Sequence, residues 1–284
     1  FRRVLFRSDI PVWHDDAQGT ACVTVAGLIN ALKLAGKKIG DVKIVMLGAG
    51  ASNATIARII ISAGGNPENM TIFDSKGSLN SDREDIASDP RFYRKWELCE
   101  KTNPKKIPDI ETAIKGADVL IALSKPGPDT VKPEWISSMA DKSIVFVCAN
   151  PVPEIYPYAA KEAGAYIVAT GRGDFPNQVN NSVGFPGILK GALTVRARGI
   201  SDEMAIAAAE SLAGYAEKRG ISEDNIIAKM DEPGVFPYEA ADVAAMAVKQ
   251  GLARVEMSKE EVYAKAEQDI KAARELTDTL LREG

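Results

Sequence analysis

Two carboxylates stand side by side in "VWHDDAQGTA", residues 12–21. Asp15 and Asp16 follow Trp13 and His14, the single histidine of the chain, and precede an apolar run. Two chemistries fit the pair. An Asp at a helix start accepts from first-turn amides and gains from the positive end of the helix dipole. Paired carboxylates also suit a hard divalent ion such as Mg2+ or Mn2+, although a full oxygen shell needs more ligands than two. On chemistry alone capping leads. A lone histidine beside Trp reads as a packed, hydrogen-bonded residue before it reads as an acid–base group.

A second constellation is "LGAGASNATIA". Gly48 and Gly50 supply the first two positions of a G-x-G-x-x-G turn, where a missing Cβ lets the backbone bend sharply and approach a pyrophosphate. Asn53 occupies the third position, which weakens the match, because that glycine serves close helix–strand packing. Asp74 ends the following apolar run, placed to bond the ribose hydroxyls of NAD. Ser75 and Lys76 come next and suit the extra phosphate of NADP. The plain alternative is a Gly-rich turn with no ligand.

These residues need elements to hold them. Residues 18–36 read as a helix with Val25, Leu28, Ile29 and Leu32 at helical spacing. Short apolar runs at 42–48, 70–74, 118–124, 143–150 and 165–171 read as strands buried on both faces. A helix over 53–65 and a long polar stretch of helix and loop lie between them. From about residue 185 the pattern is helical, with segments opening on Ser201, over "PYEAADVAAMAVKQGLA" and over 258–281. The last carries Val262, Ala266 and Ile270 on one face. Strands alternating with helices predict an α/β fold: a doubly wound, mostly parallel, Rossmann-like sheet with helices on both faces and a C-terminal helical extension. Residues 9–200 form the dinucleotide domain in this reading, and 201–284 pack on it. "FRRVLFRS", residues 1–8, fits no element and reads as a foreign or truncated end.

Composition narrows the field. The 284 residues are 45% hydrophobic and 26% charged, with a net charge of -4. That gives no general attraction to nucleic acid or an anionic membrane. No run approaches a membrane-spanning length. Cys22, Cys99 and Cys148 have no metal-ligand spacing and read as buried thiols, which suits a cytoplasmic location.

Six motifs in order resemble the malic enzyme family: "IPVWHDDAQGTA", "GAGASNATIA", "FDSKG", "ALSKPG", "CANPVPEI" and "ATGRGDFPNQVNNSVGFPG". The resemblance covers about residues 9–200, more weakly the tail. It implies oxidative decarboxylation of (S)-malate to pyruvate and CO2, with NAD or NADP and Mg2+ or Mn2+. It makes Asp16 a metal ligand and Asp15 the support of the general base. It places Gly48, Gly50, Ala51, Asp74, Ser124, Pro126 and Asn150 on the cofactor. It sets Asn150 and Asn181 on the substrate, and it implies a homo-oligomer. The family's catalytic Tyr and Lys, a Glu-Asp pair and an Arg belong upstream of the acidic pair. Tyr156, Lys125 and Lys190 align with none of them. The chain is therefore expected to hold the cofactor half and to be inactive alone. A different NAD(P)-dependent dehydrogenase, which would need no metal, and a non-catalytic cofactor-binding module are the competing readings.

Overall fold

A computed structural model describes residues 10–283. The expectation for residues 1–8 lies outside the described residues. The five predicted strands are present: β1 (Ile44–Leu47), β2 (Met70–Asp74), β4 (Val119–Ala122), β5 (Ile144–Val147) and β6 (Ile167–Thr170). A sixth, β3 (Gly77–Ser78), folds back antiparallel on β2 and was not anticipated. The sheet order is β3-β2-β1-β4-β5-β6, parallel except for β3. Winding reverses between β1 and β4, where Ile44 registers with Met70 on one side and Val119 on the other.

Near-continuous apolar strands make sense because both faces are covered. Successive side chains point to opposite faces. Ile44, Met46, Ile121, Ile144 and Phe146 join one core, while Val45, Leu120, Val145 and Val168 join another. The first core contains α1 (Thr20–Ala35), α2 (Ala51–Ser62), α8 (Phe185–Thr194), α9 (Asp202–Arg219) and α10 (Val235–Lys249). The second contains the short α5 (Ile110–Ile114), α6 (Pro133–Ser137) and α7 (Pro157–Glu162). The polar stretch after β3 forms α3 (Glu84–Ala87) and α4 (Tyr93–Lys101).

Helix ends follow local chemistry. Gly36 closes α1 in the left-handed conformation at φ 71°. Ser201 caps α9 by accepting from the Met204 amide at 3.1 Å. The C-terminal helices share the first core rather than building their own. Two glycines of α8 let α10 approach: a Cβ at Gly191 would lie 2.4 Å from the Ala240 carbonyl, and one at Gly187 would lie 2.1 Å from Glu239 Oε2. Glu239 is wholly buried there, and burial pushes its carboxyl well up. The final helix, α11 (Lys259–Glu283), buries Val262 and Ala266 as the stripe requires, with Ile270 packed against the core. Beyond that point Leu276, Leu280 and Leu281 are exposed. No helix among the described residues is long and apolar enough to cross a membrane. All three cysteines are free and buried.

One buried polar group ties this layer together. Asn30 of α1 donates through Nδ2 to the carbonyls of Ala213 and Ile226, at 2.9 Å each. Losing both bonds in a dry site costs about 2 kcal/mol. Asn30→Leu should lower the unfolding free energy by that amount, read as a lower urea midpoint at an unchanged slope. A midpoint equal to wild type would show that the two carbonyls find other donors.

Candidate active site

The residues singled out in the sequence gather at the C-terminal ends of the parallel strands, where doubly wound sheets bind ligands. Gly48 leaves β1 at φ +101°, and a Cβ there would lie 2.2 Å from the Leu123 carbonyl after β4. Its first duty is therefore to let two strand ends meet. Gly50 differs: a Cβ on it would touch nothing within 4 Å. It precedes α2, whose first turn receives no side-chain cap, so its N–H groups and dipole face the cleft. Ala51 is exposed beside it. The expected weakness at Asn53 is corrected by the structure. Its buried Nδ2 donates to Leu47 O at 3.1 Å and Gly48 O at 2.9 Å, tying the helix to the turn.

The acidic pair lies on a π-helical turn, Asp15–Gly19, that leads into α1. The capping expectation fails, since no side chain caps this turn; instead the His14 carbonyl accepts from the Ala17 and Gln18 amides. Asp15 accepts from Trp13 Nε1 at 3.3 Å and from Asn181 Nδ2. Asp15 and Asn181 are 166 residues apart in sequence. Burial raises the Asp15 carboxyl, against the pull of these two donors. Gly19 makes the meeting possible: a Cβ on it would lie 2.0 Å from Asp15 Oδ1 and 3.3 Å from Asn181 Cβ. Asp16 is exposed, and its carbonyl accepts from Ser52 Oγ of α2 at 2.8 Å. That bond joins the acidic segment to the glycine turn. His14 is half-buried, and its amide donates to Gln18 Oε1 at 3.0 Å.

The two asparagines divide their work. Asn180 caps the short turn at Asn181–Val183 and donates to the Gly171 carbonyl at 3.2 Å. Asn181 spends one amide hydrogen on Asp15, which leaves its second for another acceptor. Asn150 is exposed at the end of β5, in a cis peptide bond with Pro151. A Cβ at Gly171 would come 3.1 Å from its Nδ2. Pro126 is exposed after β4. Ser124 points elsewhere: its amide and hydroxyl bond Glu154 Oε1, at 2.8 and 3.4 Å. Sequence reasoning missed Glu154. The available signal was a charged residue set among prolines in "NPVPEIYP".

Asp74 stands at the end of β2 as expected, but its carboxylate is already engaged. Arg83 binds both oxygens at 3.0 Å, Lys95 Nζ binds Oδ2 at 2.5 Å and the Lys76 amide binds Oδ1 at 2.9 Å. Lys76 Nζ and Arg83 also reach Asp85. Asp74 thus stands at the strand end with its carboxylate held by the side chains of Arg83 and Lys95 and by the Lys76 amide.

Residues 17–250 match the sequence model described as "Malic enzyme, NAD binding domain". The chain belongs to the malic enzyme family. The crystal structure of the Entamoeba histolytica malic enzyme is 66% identical with a TM-score of 0.97, covering 99% of this chain and 58% of that one. The Pyrococcus horikoshii malic enzyme is 45% identical with a TM-score of 0.92, covering 99% and 65%. The bifunctional malic/malolactic enzyme of Bacillus subtilis is 43% identical over 93% of this chain and 62% of its own length. Other curated relatives, between 34 and 43% identical, carry names specifying NAD or NADP. The chain thus spans less than two thirds of the length of these relatives.

This malic enzyme chain fits the expected metal only in part. Asp16 offers an exposed carboxylate, whereas Asp15 is held by Asn181 and Trp13. Among the described residues no three His, Cys, Asp or Glu side chains come together around one point. An octahedral ion needs more oxygen donors than this.

The Asp74 cluster makes a prediction in pH. Burial alone would raise this carboxyl, but hydrogen bonds from Arg83 and Lys95 outweigh it and draw it from 3.8 to about 2. Its folded value lies below its unfolded value, so its contribution is complete above pH 3.8 and disappears as pH falls toward 2. Asp74→Asn should therefore melt lower than wild type at pH 6, with the gap closing across that acid window. A gap that persists below pH 2 would contradict the ion-pair account.

Proposed function

We propose that this chain is the cofactor-binding part of an enzyme that oxidatively decarboxylates (S)-malate to pyruvate and CO2 with reduction of NADP+. One observation carries the reading: Asp15 and Asn181 meet in a hydrogen bond beside the uncapped helix start after Gly50. A donor for a substrate carboxylate, a carboxyl raised by burial and a pyrophosphate cradle then share one cleft. Family membership supports the same reading.

The chemistry asks little else of these residues. Asn181 keeps an uncharged N–H for a malate carboxylate, so substrate is held without adding positive charge. Asp15 stands beside it and stabilises a protonated base group supplied from outside the described residues. Asn150 orients the nicotinamide ribose and substrate at the end of β5. NAD(P)+ supplies the hydride acceptor, and a divalent ion supplies polarisation of the malate C2 oxygen. When bound, the dinucleotide would accept the C2 hydride while the malate hydroxyl proton would pass to a base, with Asn150 and Asn181 holding the substrate for that loss. The C3–C4 bond then breaks to release CO2, and its electron pair takes up a proton at C3. Asp16 is one metal ligand in this reading, completed by donors beyond the described residues. A cytoplasmic homo-oligomer is consistent with the family.

NADP is favoured over NAD by the Asp74 cluster. Lys76, Arg83 and Lys95 outnumber Asp74 and Asp85 there, and Lys76 is 69% exposed. A 2′-phosphate gains from that surplus, whereas the engaged Asp74 has little to offer a 2′-hydroxyl.

Two tests follow. In a protein carrying the upstream region present in the relatives, Asn181→Ala should raise the malate KM about tenfold or more. Asp16→Ala should weaken Mn2+ binding by direct titration. Unchanged values in both would remove Asp16 and Asn181 from the site. Separately, Lys76→Ala should weaken NADP+ about tenfold and leave NAD+ within about twofold, as expected for one charge-assisted bond. Equal loss for both cofactors would place Lys76 away from the 2′ position.

A further inference from the structure

Glu154 has no assigned contact with cofactor, substrate or metal, yet it is fully buried beside the site. Its Oε1 accepts from the Ser124 amide at 2.8 Å, and its Oε2 accepts from the Ala149 amide at 3.1 Å. Its own carbonyl accepts from the Val131 amide at 2.9 Å. One residue therefore grips both ends of the loop 124–131 and the residue just before Asn150.

The position explains why a grip is needed there. The ladder between β4 and β5 runs out at Ala122 and Val147, with one last bond from the Cys148 amide to Ala122 O. Past that point the two chains diverge into separate loops. The Glu154 carboxylate bridges them. A carboxylate suits this, because both oxygens accept and neither carries a hydrogen. An amide of the same shape would turn an N–H toward one of the two backbone donors. Burial pushes this carboxyl up, while bonds from the Ser124 and Ala149 amides pull it back. Each N–H to a buried carboxylate is of the stronger, charge-assisted kind.

The bridge also lies on one side only of the switch between β1 and β4. The turn at Gly48–Gly50 and the cluster around Asp74 serve the adenosine half of a dinucleotide. The loops after β4 and β5 face the other half. We propose that Glu154 is a positioning residue for the nicotinamide half. It fixes the spacing of the 124–131 loop against Ala149 and Asn150, and so sets where Pro126 and Asn150 meet that half. This rests on the dinucleotide reading given above.

The test compares NADP+ with its adenosine half, 2′,5′-ADP, by calorimetric titration of the chain. Wild type should bind both. Glu154→Gln should weaken NADP+ about tenfold, the worth of one charge-assisted hydrogen bond, and leave 2′,5′-ADP within about twofold. NADP+ affinity equal to wild type overturns the proposal. So does equal weakening of both ligands, which marks a general structural role. If Glu154→Gln does not fold, Glu154→Asp keeps the charge but is one methylene too short to reach both amides. It should show the same asymmetry at about threefold, and symmetrical loss overturns the proposal. A wild-type chain that binds neither ligand overturns the dinucleotide reading itself, an outcome distinct from a wild type that binds while the variants match it.

Discussion

The closeness of β1 and β4 governs everything at the top of this sheet. Winding reverses between them, so their outgoing chains part in opposite directions and leave a crevice. The crevice forms only if the two chains can touch before they part. Gly48 permits it, because the Leu123 carbonyl occupies the space a side chain would need. Asn53 then fixes the turn by donating to the carbonyls of Leu47, the last residue of β1, and of Gly48 after it. Ser52 carries the acidic segment to the same place. The glycine turn is thus a packing device first, and its fitness for a pyrophosphate follows from that packing.

Three carboxylates of the site share a habit. Asp15, Asp74 and Glu154 are each held by donors of the protein itself. None stands as an isolated anion in a partly dry cleft, which would be costly. What each offers a ligand is therefore indirect. Asp15 orients Asn181, Asp74 gathers basic side chains, and Glu154 spaces two loops.

Much of this was legible in the sequence. The five parallel strands announce themselves because a strand buried on both faces must be apolar at every position, and glycines or polar turns bound each run. The motifs marked the strand ends correctly. Other features were not legible, for physical reasons. β3 is two residues long and exists only by pairing with β2. The fate of Asp74 depends on Arg83 and Lys95, which reach it from 9 and 21 positions away. The Asp15–Asn181 bond joins opposite ends of the domain. Asn53 looked like a flaw because the expected glycine tells nothing about what a polar side chain can do in its place. Such outcomes are set by tertiary geometry, and a local pattern does not encode them.

The π-helical turn at Asp15–Gly19 acts as an angular offset. A turn of that kind holds one residue more than an α-helical turn, and each helical residue advances the chain by about 100°. The described residues 10–14 are therefore swung around the axis of α1 by roughly a quarter turn, relative to a chain entering on a regular helix. Meanwhile α1 itself stays anchored in the core through Asn30 and its buried face. A single inserted or deleted residue in this stretch would re-aim the incoming polypeptide while leaving the sheet beneath it undisturbed. The pentapeptide sets the direction in which Trp13 and His14 meet α1.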